Sequence, residues 1–321
     1  MKALVTGGAG FIGSHIVDEL VRRNAEVVVY DNLSTGFARR LEDSVSTGHA
    51  RLVHADVLDH DALIREMAGA EQVFHLAANA DVRGGKDHTR VDVDQNILGT
   101  HAVLEAMRIA GVRRIVFTSS ATVYGEPEVF PTPEYYGPIL QTSLYGASKL
   151  AAEALIQAYC EYFGMRSHSF RFVSWIGERY SHGVIYDFVK KLQEDPTELE
   201  ILGDGNQRKS YLHVEDGIRG IFLAIEKMEA PKNVINLGHE EFMNVTDLAR
   251  VVCNEMGLAN VRFRFTGGIR GWLGDSPLVH LDISRMKAVG FSPKVGIEEG
   301  VRRTVRYLLA NPWLLDTREK M

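Results

Sequence analysis

Tyr145 and Lys149, in Tyr145-Gly146-Ala147-Ser148-Lys149, stand four residues apart and so share one face of a helix. A free phenol titrates near ~10 and is a poor base at neutral pH, but a nearby positive charge favours the phenolate. The spacing therefore predicts a tuned proton donor and acceptor. Upstream, Thr118-Ser119-Ser120-Ala121-Thr122-Val123-Tyr124-Gly125 begins where an apolar run ends, which places its hydroxyls at the carboxyl edge of a sheet, where open α/β folds bind ligands. A hydroxyl there can hold a substrate oxygen while its proton moves to or from Tyr145. Taken singly, a solvated lysine beside a half-buried tyrosine, and a turn-capping serine-threonine cluster, explain the same residues.

A second group of residues suits a dinucleotide. Gly8-Ala9-Gly10-Phe11-Ile12-Gly13 satisfies Gly-x-Gly-x-x-Gly, and Gly7 extends it to Gly-x-x-Gly-x-x-Gly. The motif follows the first apolar run, opens the first helical stretch and precedes Asp31 at the end of the second run, near the ~20-residue offset expected. Glycines there let backbone N–H groups approach a pyrophosphate at a helix N-terminus. Asp31 suits free ribose hydroxyls and repels a 2′-phosphate, so NAD is expected over NADP. Asp56, after the third run, is placed to hold the adenine edge. The 12 histidines show no ligand spacing with Cys or Glu, and no metal is expected.

These groups need a scaffold, and the alternation of patterns supplies one. Short apolar runs at Leu4–Thr6, Val27–Tyr30, Arg51–His54, Gln72–Leu76, Ile115–Thr118 and Ser169–Val173 predict buried parallel strands. Helical stretches at Phe11–Arg23, Asp59–Met67, Asp92–Ala110 and Leu144–Phe163 lie between them. The expectation is an α/β fold, a Rossmann-type doubly wound parallel sheet. After Val173 the pattern changes: a helix at Gly183–Gln193, a strand at Leu199–Leu202 and a Gly203-Asp204-Gly205-Asn206 turn suggest a smaller mixed α/β domain. Glu215–Glu229 and Val234–Asn236 are expected to return to the main sheet before helices at Val245–Met256 and Ile297–Ala310. The predicted division is therefore 1–173 with 212–240, and 174–211 with 241–321. Domains that exchange segments in this way commonly hold a small-molecule site in a cleft.

Composition bounds the rest. The 321 residues carry 36 Lys and Arg against 42 Asp and Glu, a formal charge of −6, with 45% hydrophobic and 24% charged residues. That excludes disorder and a basic nucleic-acid footprint. Cys160 and Cys253 form no Cys-x-x-Cys pair, which predicts neither a disulfide framework nor a cysteine zinc site and points to a reducing cytoplasm. The apolar start at Ala3-Leu4-Val5 is too short for a signal-peptide core, and no run approaches the about 18 apolar residues that a membrane span needs.

With these motifs in order, the chain resembles the extended short-chain dehydrogenase/reductases of the NAD-dependent nucleotide-sugar epimerase/dehydratase family over nearly its whole length. The resemblance rests on the glycine motif, Asp31-Asn32-Leu33-Ser34-Thr35-Gly36, His75-Leu76-Ala77-Ala78, Asn96 in Asp94-Gln95-Asn96-Ile97-Leu98-Gly99-Thr100, Ser119 to Gly125, Tyr145 with Lys149, and the Gly203-Asp204-Gly205 turn leading to His213-Val214-Glu215-Asp216. It implies that Tyr145 takes a proton from a sugar hydroxyl, usually at C4, as the C4 hydrogen leaves as hydride to NAD. Lys149 would hold the nicotinamide ribose and lower the tyrosine pKa, and Ser120 would bond the same sugar oxygen. Gly7, Gly10, Phe11, Ile12, Gly13, Asp31, Asn32, Asp56, Val57, Leu76, Ala77, Ala78, Asn96 and Ser119, with Tyr145 and Lys149, would contact NAD in the first domain. Arg83, Thr122, Ser174, His182, Arg208, Lys209, Arg270 and Asp275, with Ser120, are the nucleotide-sugar candidates, most of them in the second.

The resemblance also narrows the chemistry. Members that eliminate water carry an Asp-Glu pair after the catalytic hydroxyl, whereas Ala121 and Thr122 stand here. That argues against a 4,6-dehydratase and for a UDP-hexose 4-epimerase; the alternatives are a C4 dehydrogenase of GDP-heptose type and a non-catalytic NAD-binding protein. Around the nucleotide the pattern departs from the usual one: Ser174 replaces Asn, Glu178 replaces Pro, Lys209-Ser210 replaces Arg-Asp, and Arg270 lies five residues before Asp275. The helical stretches 92–110 and 144–163 imply a homodimer through a four-helix bundle, and no nucleic-acid or membrane partner is expected.

Overall fold

Buried β-branched runs alternate with amphipathic helices from the first residues of the computed structural model, which describes residues 1–315. In chain order they are β1 (Lys2–Thr6), α1 (Phe11–Arg22), β2 (Glu26–Asp31), the one-turn α2 (Glu42–Ser46), β3 (Ala50–His54), α3 (His60–Met67), β4 (Gln72–His75), α4 (Gly99–Ala110), β5 (Arg114–Ser120), α5 (Leu144–Phe163) and β6 (Arg166–Phe172). They build a seven-stranded sheet in the order Lys232–Leu237, β6, β5, β4, β1, β2, β3. β1 pairs in parallel with both β2 and β4, so that Val5 lies beside Val29 and Phe74. Strand order reverses there, and a doubly wound sheet binds its ligand at the carboxyl edge beside that reversal. This is the Rossmann-type architecture that the alternation predicts.

On one face of the sheet Leu4, Val28, Val73, Ile115 and Phe117 form a core with Leu63 and Met67 of α3, Leu104 and Met107 of α4, and Ile156 of α5. Two local differences from expectation matter. The stretch predicted as one helix over 92–110 is a π-helix, Val93–Leu98, running into α4; widened turns of this kind recur at functional sites. β5 extends to Ser120, beyond the predicted Thr118, so Ser119 and Ser120 end a strand. Hydrophobic periodicity registers neither, because a six-residue widened turn is shorter than the window over which a period is read and Ser119 and Ser120 are polar.

The chain divides into two compact units, one of Met1–Gly125, Gly137–Phe172 and Ile221–Asn236, the other of Glu126–Tyr136, Val173–Gly220 and the chain from Leu237. The second contains β7 (Ser174–Ile176), α6 (Val184–Glu194), β8 (Glu198–Ile201), β9 (Arg208–Lys209) and β10 (Tyr211–His213). β7 pairs in parallel with β10, β8 with Arg262–Phe265, and β9 lies between Met243–Asn244 and Leu278–Val279. Helices Val245–Glu255 and Ile297–Ala310 pack on α6 and on each other. The two-residue strands are too short to carry a period. Arg262–Phe265 escapes prediction because most of it is exposed; it is held to β8 by Arg262 and Arg264 pairing with Glu198 and Glu200. No helix among the described residues is long and apolar enough to cross a membrane.

Candidate active site

β1 delivers Thr6 to the carboxyl edge, and Gly7 turns the chain there with φ of 69°. A Cβ on Gly7 would stand 2.6 Å from the Ala77 amide nitrogen, and one on Gly13 2.2 Å from the Gly7 carbonyl oxygen. The loop is a cradle closed against its own backbone. Gly10 N-caps α1 without a side-chain bond, and a helix N-terminus of this kind suits a ligand anion. Gly13→Ala should force the Gly7 peptide aside at a cost of about 1–3 kcal/mol. The expected result is NAD binding weakened by about 10-fold or more in a calorimetric titration.

Asp31 ends β2 against this loop. Its Oδ2 accepts from the Ala9 N–H at 2.9 Å and its Oδ1 from the Leu33 N–H at 2.8 Å. Burial pushes its carboxyl up, while those two donors and the Arg40 guanidinium oppose the shift. Arg40, itself buried, donates to the Ala9 carbonyl at 3.3 Å; no motif pointed to it, since only the fold of the 32–41 segment brings it there. Asn32 donates to Asp56 Oδ2 at 2.8 Å, and Asp56 Oδ1 accepts from the Leu58 N–H at 2.9 Å. Val57 packs beneath Gly99 at the start of α4. The glycine cradle, the uncapped helix start and a carboxylate at the second strand's end fit an adenine dinucleotide with free ribose hydroxyls.

Leu76, Ala77 and Ala78 follow β4, and the Ala77 N–H donates to Thr6 Oγ1 at 3.3 Å. Beneath them His75 is fully buried, with Nδ1 2.7 Å from Thr6 Oγ1 and Nε2 3.0 Å from Thr100 Oγ1. Burial, and secondarily the Lys149 charge, lowers its pKa to about 3. An unfolded histidine binds a proton near ~6.5, so this depressed value gives stability that is present above that pH and lost as the pH falls toward 3. Urea titrations of wild type and His75→Asn across pH 4 to 7, taken as a round working range, should show the slope in the first and its loss in the second.

The proton-transfer residues come from β5 and α5. Ser143 caps α5, its Oγ accepting from the Gly146 N–H at 3.0 Å, and the helix then sets Tyr145 and Lys149 one turn apart. The Ser120 hydroxyl favours the ionised form of Tyr145, and its Oγ accepts from Thr122 Oγ1 at 2.9 Å. Buried Lys149 donates from Nζ to the Thr118 carbonyl at 3.0 Å and stands 5.9 Å from the Tyr145 ring centre. The structure thus brings Tyr145, Ser120, Thr122 and Lys149 together. Burial pushes Tyr145 up to about 12 and outweighs Ser120, while Asp92 adds to the rise. Burial also brings Lys149 down to about 8.

Asn96 lies in the π-helix, where its Nδ2 donates to Ser148 Oγ at 2.8 Å and its Oδ1 accepts from the Asn79 N–H at 2.8 Å. Ser148 Oγ donates in turn to the Tyr145 carbonyl at 2.8 Å. Ser119, next to Ser120, bonds to Glu153, and Glu153 pairs with Arg171 at 2.7 Å. Sequence reading missed Asn79, Ser148, Glu153 and Arg171, because polar residues on buried faces leave no periodic signal.

In the second unit the candidates separate. β9 turns Arg208 and Lys209 to opposite sides. Lys209 pairs with the buried Asp275 and lies 4.9 Å from the Trp272 ring centre, whereas Arg208 stands over the Phe242 ring at 5.3 Å. Arg208 there lines a cavity of about 540 Å³ with Asn244 and Arg250. Arg270 pairs with Glu126 at 2.5 Å, and exposed His182 stacks on Tyr180. Ser174 is exposed at the first position of β7. Glu178, unusual at its position, meets His213 Nε2 at 3.3 Å and accepts from Arg303 Nε at 2.9 Å. Burial alone would raise its carboxyl, but these partners hold it down at about 2. Arg83, in the first unit, is exposed, its backbone N–H donating to Asp81 Oδ1 at 3.0 Å.

Residues 3–238 match the NAD dependent epimerase/dehydratase family. A putative UDP-glucose 4-epimerase of Methanocaldococcus jannaschii is 33% identical over 96% of this chain and 98% of its own. The chain belongs to the NAD-dependent epimerase/dehydratase family. Among solved members, the UDP-glucose 4-epimerase of Thermotoga maritima, crystallised with UDP-glucose, is 32% identical over 97% of this chain and all of its own, with a TM-score of 0.87. The dTDP-glucose 4,6-dehydratase DesIV of Streptomyces venezuelae, solved with NAD, is 28% identical over 98% of both chains, with a TM-score of 0.90. Homology to this family supports a nucleotide-sugar enzyme that depends on NAD.

Proposed function

We propose that this chain is a UDP-hexose 4-epimerase working through a transient 4-keto sugar. The observation that carries the reading is the buried Lys149, 5.9 Å from the Tyr145 ring centre and bonded to the Thr118 carbonyl at the end of β5, where Ser120 and Thr122 also stand. NAD, when bound, supplies the hydride acceptor and donor and, in its oxidised form, a positively charged ring. Ser120 holds the sugar's O4 and Tyr145, as phenolate, takes its proton. The same phenol returns the proton to O4 once the ketone has presented its other face. A nearby positive charge is what a phenol held at about 12 requires before it ionises at neutral pH. Ala121 and Thr122 supply no acid and base pair for elimination.

The reading extends to the candidates that the geometry leaves open. NAD is held by the first unit, through the Gly7–Gly13 loop, Asp31, Asn32, Asp56 and Asn96. The nucleotide diphosphate is held by the second, through Lys209, Arg270 and Asp275. A homodimer formed by 92–110 and 144–163, where Leu98, Ile109 and Tyr162 are exposed, completes the proposal, together with a cytoplasmic setting; sedimentation checks the dimer. Proton NMR of the protein with UDP-glucose and, separately, UDP-galactose tests the chemistry. Interconversion at C4 without accumulating NADH is the expected result. A released 4-ketone with stoichiometric NADH would replace the epimerase by a C4 dehydrogenase, and GDP-heptoses would be the next substrates tried.

A further inference from the structure

Thr6, His75, Thr100, Asn96 and Ser148 are polar residues at most 2% exposed, and no two of them are neighbours in sequence. They nevertheless form one hydrogen-bonded row. Thr6 ends β1 just before Gly7 and stands opposite His75 across the β1–β4 pair. Its Oγ1 accepts from the Ala77 N–H at 3.3 Å and lies 2.7 Å from His75 Nδ1. His75 Nε2 is 3.0 Å from Thr100 Oγ1, which donates to the Asn96 carbonyl at 2.6 Å. Asn96 Nδ2 donates to Ser148 Oγ at 2.8 Å and to Asp92 Oδ1 at 3.2 Å, and Ser148 Oγ donates to the Tyr145 carbonyl at 2.8 Å. The row thus begins at Ala77, against which Gly7 closes, and ends at Tyr145.

The acceptors fix every proton in this row. The Asn96 carbonyl has no hydrogen of its own, so the single proton of Thr100 Oγ1 points to it and Thr100 receives the His75 Nε2–H. Thr6 Oγ1 already receives the Ala77 N–H, and its own proton has His75 Nδ1 as its one acceptor among the described residues. A second proton on the ring would strand that buried hydroxyl. His75 is therefore a neutral imidazole protonated at Nε2, in keeping with the burial that lowers its pKa to about 3. Every donor from Ala77 to Tyr145 then points the same way. Bonds aligned in this manner polarise one another and leave the row a single low-energy arrangement.

We propose that His75 is a positioning residue, through which this row sets Tyr145 in register with the glycine loop. The inference rests on the reading of Tyr145 as the group that moves the proton and of the Gly7–Gly13 loop as the dinucleotide site. The reaction needs the sugar oxygen on Tyr145 and the bound dinucleotide in register, and a misplacement of about 1 Å can cost about 10²-fold in rate. His75 is the member that joins the strands to the helices, with one ring nitrogen on Thr6 of β1 and the other on Thr100 of α4. The π-helix carries the link onward by presenting the Asn96 carbonyl to Thr100 and its side-chain amide to Ser148 of α5.

The test has two arms. In protein carrying 15N-histidine, the resonance lost in His75→Asn identifies the His75 ring, and long-range 15N–1H correlation at neutral pH reads its tautomer without substrate. A proton on Nε2 alone is expected; a proton on Nδ1, or on both nitrogens, breaks the order of the row and overturns the proposal. The second arm compares kcat in Thr6→Val, Ser148→Ala and the double variant, which cut opposite ends of the row at residues that share no hydrogen bond. Each single variant should lower kcat by about 10-fold or more with KM little changed, and the double variant should fall no further than the lower single. Residues that merely fill the core act independently, and their effects multiply. Multiplying losses, or single variants with wild-type kcat, overturn the proposal. If Thr6→Val does not fold, Thr100→Val, which cuts the row between His75 and Asn96, takes its place. Turnover by Tyr145→Phe is measured in parallel: full activity there would sink the proton-transfer reading itself, while the tautomer and the double variant decide whether the row acts as one.

Discussion

Tyr145→Phe is expected to lower kcat by about 10²- to 10⁴-fold, the usual contribution of a positioned acid and base. The variant deletes one oxygen and keeps the ring, so the first turn of α5 stays packed and Ser120 keeps its 2.9 Å bond from Thr122. Loss of one buried hydroxyl should cost only about 1 kcal/mol of stability. The Gly7–Gly13 loop and Asp31 belong to β1, α1 and β2 and keep their places, so NAD affinity should fall far less than kcat. A loss confined to kcat, with KM near the wild-type value, marks an interaction made only in the transition state. Steady-state kinetics with the substrate found by NMR separates the cases. A rise in KM with kcat intact would mean that Tyr145 binds the sugar and another group moves the proton.

How much of this was legible beforehand depends on what each residue answers to. The glycine loop and Tyr145 with Lys149 were readable because their spacing is local: a turn and one helical repeat fix the geometry whatever the rest of the chain does. Lys209 and Asp275 were named as candidates, but their pairing brings together residues far apart in sequence, which spacing does not encode. Nor does charge alone reveal that β9 sends Arg208 to the other side, since a two-residue strand shows no alternation. The tyrosine pKa is the clearest case. Sequence supplies the neighbouring cation, but the direction of the shift follows burial, a tertiary quantity. Asn96 was visible through its motif, whereas its partners Asn79, Asp92 and Ser148 were not, because the π-helix that presents it has no signature in hydrophobic periodicity.

The largest stability effect is expected at Arg171. Its guanidinium donates to Glu153 through Nε at 3.0 Å and Nη2 at 2.7 Å, lies 4.7 Å from the Tyr124 ring centre, and both charged side chains are almost wholly buried. Burial lowers the arginine pKa by itself, but Glu153 more than offsets this and keeps the guanidinium charged. Arg171→Met leaves the Glu153 carboxylate buried with Ser119 as its remaining hydrogen-bond partner, which should cost about 3–5 kcal/mol. Glu153→Leu strands the cation and should cost a similar amount. The double variant removes both charges, and an apolar pair of similar volume is close to neutral, so most of the loss should return. Urea unfolding of the four proteins measures that coupling; additive losses would show that the two charges act separately. The network also reaches the chemistry, because Ser119 precedes Ser120 on β5 and Glu153 lies one turn beyond Lys149 on α5. The single variants, each leaving one uncompensated charge behind that edge, should therefore lose turnover as well as stability, and the double variant should regain both together.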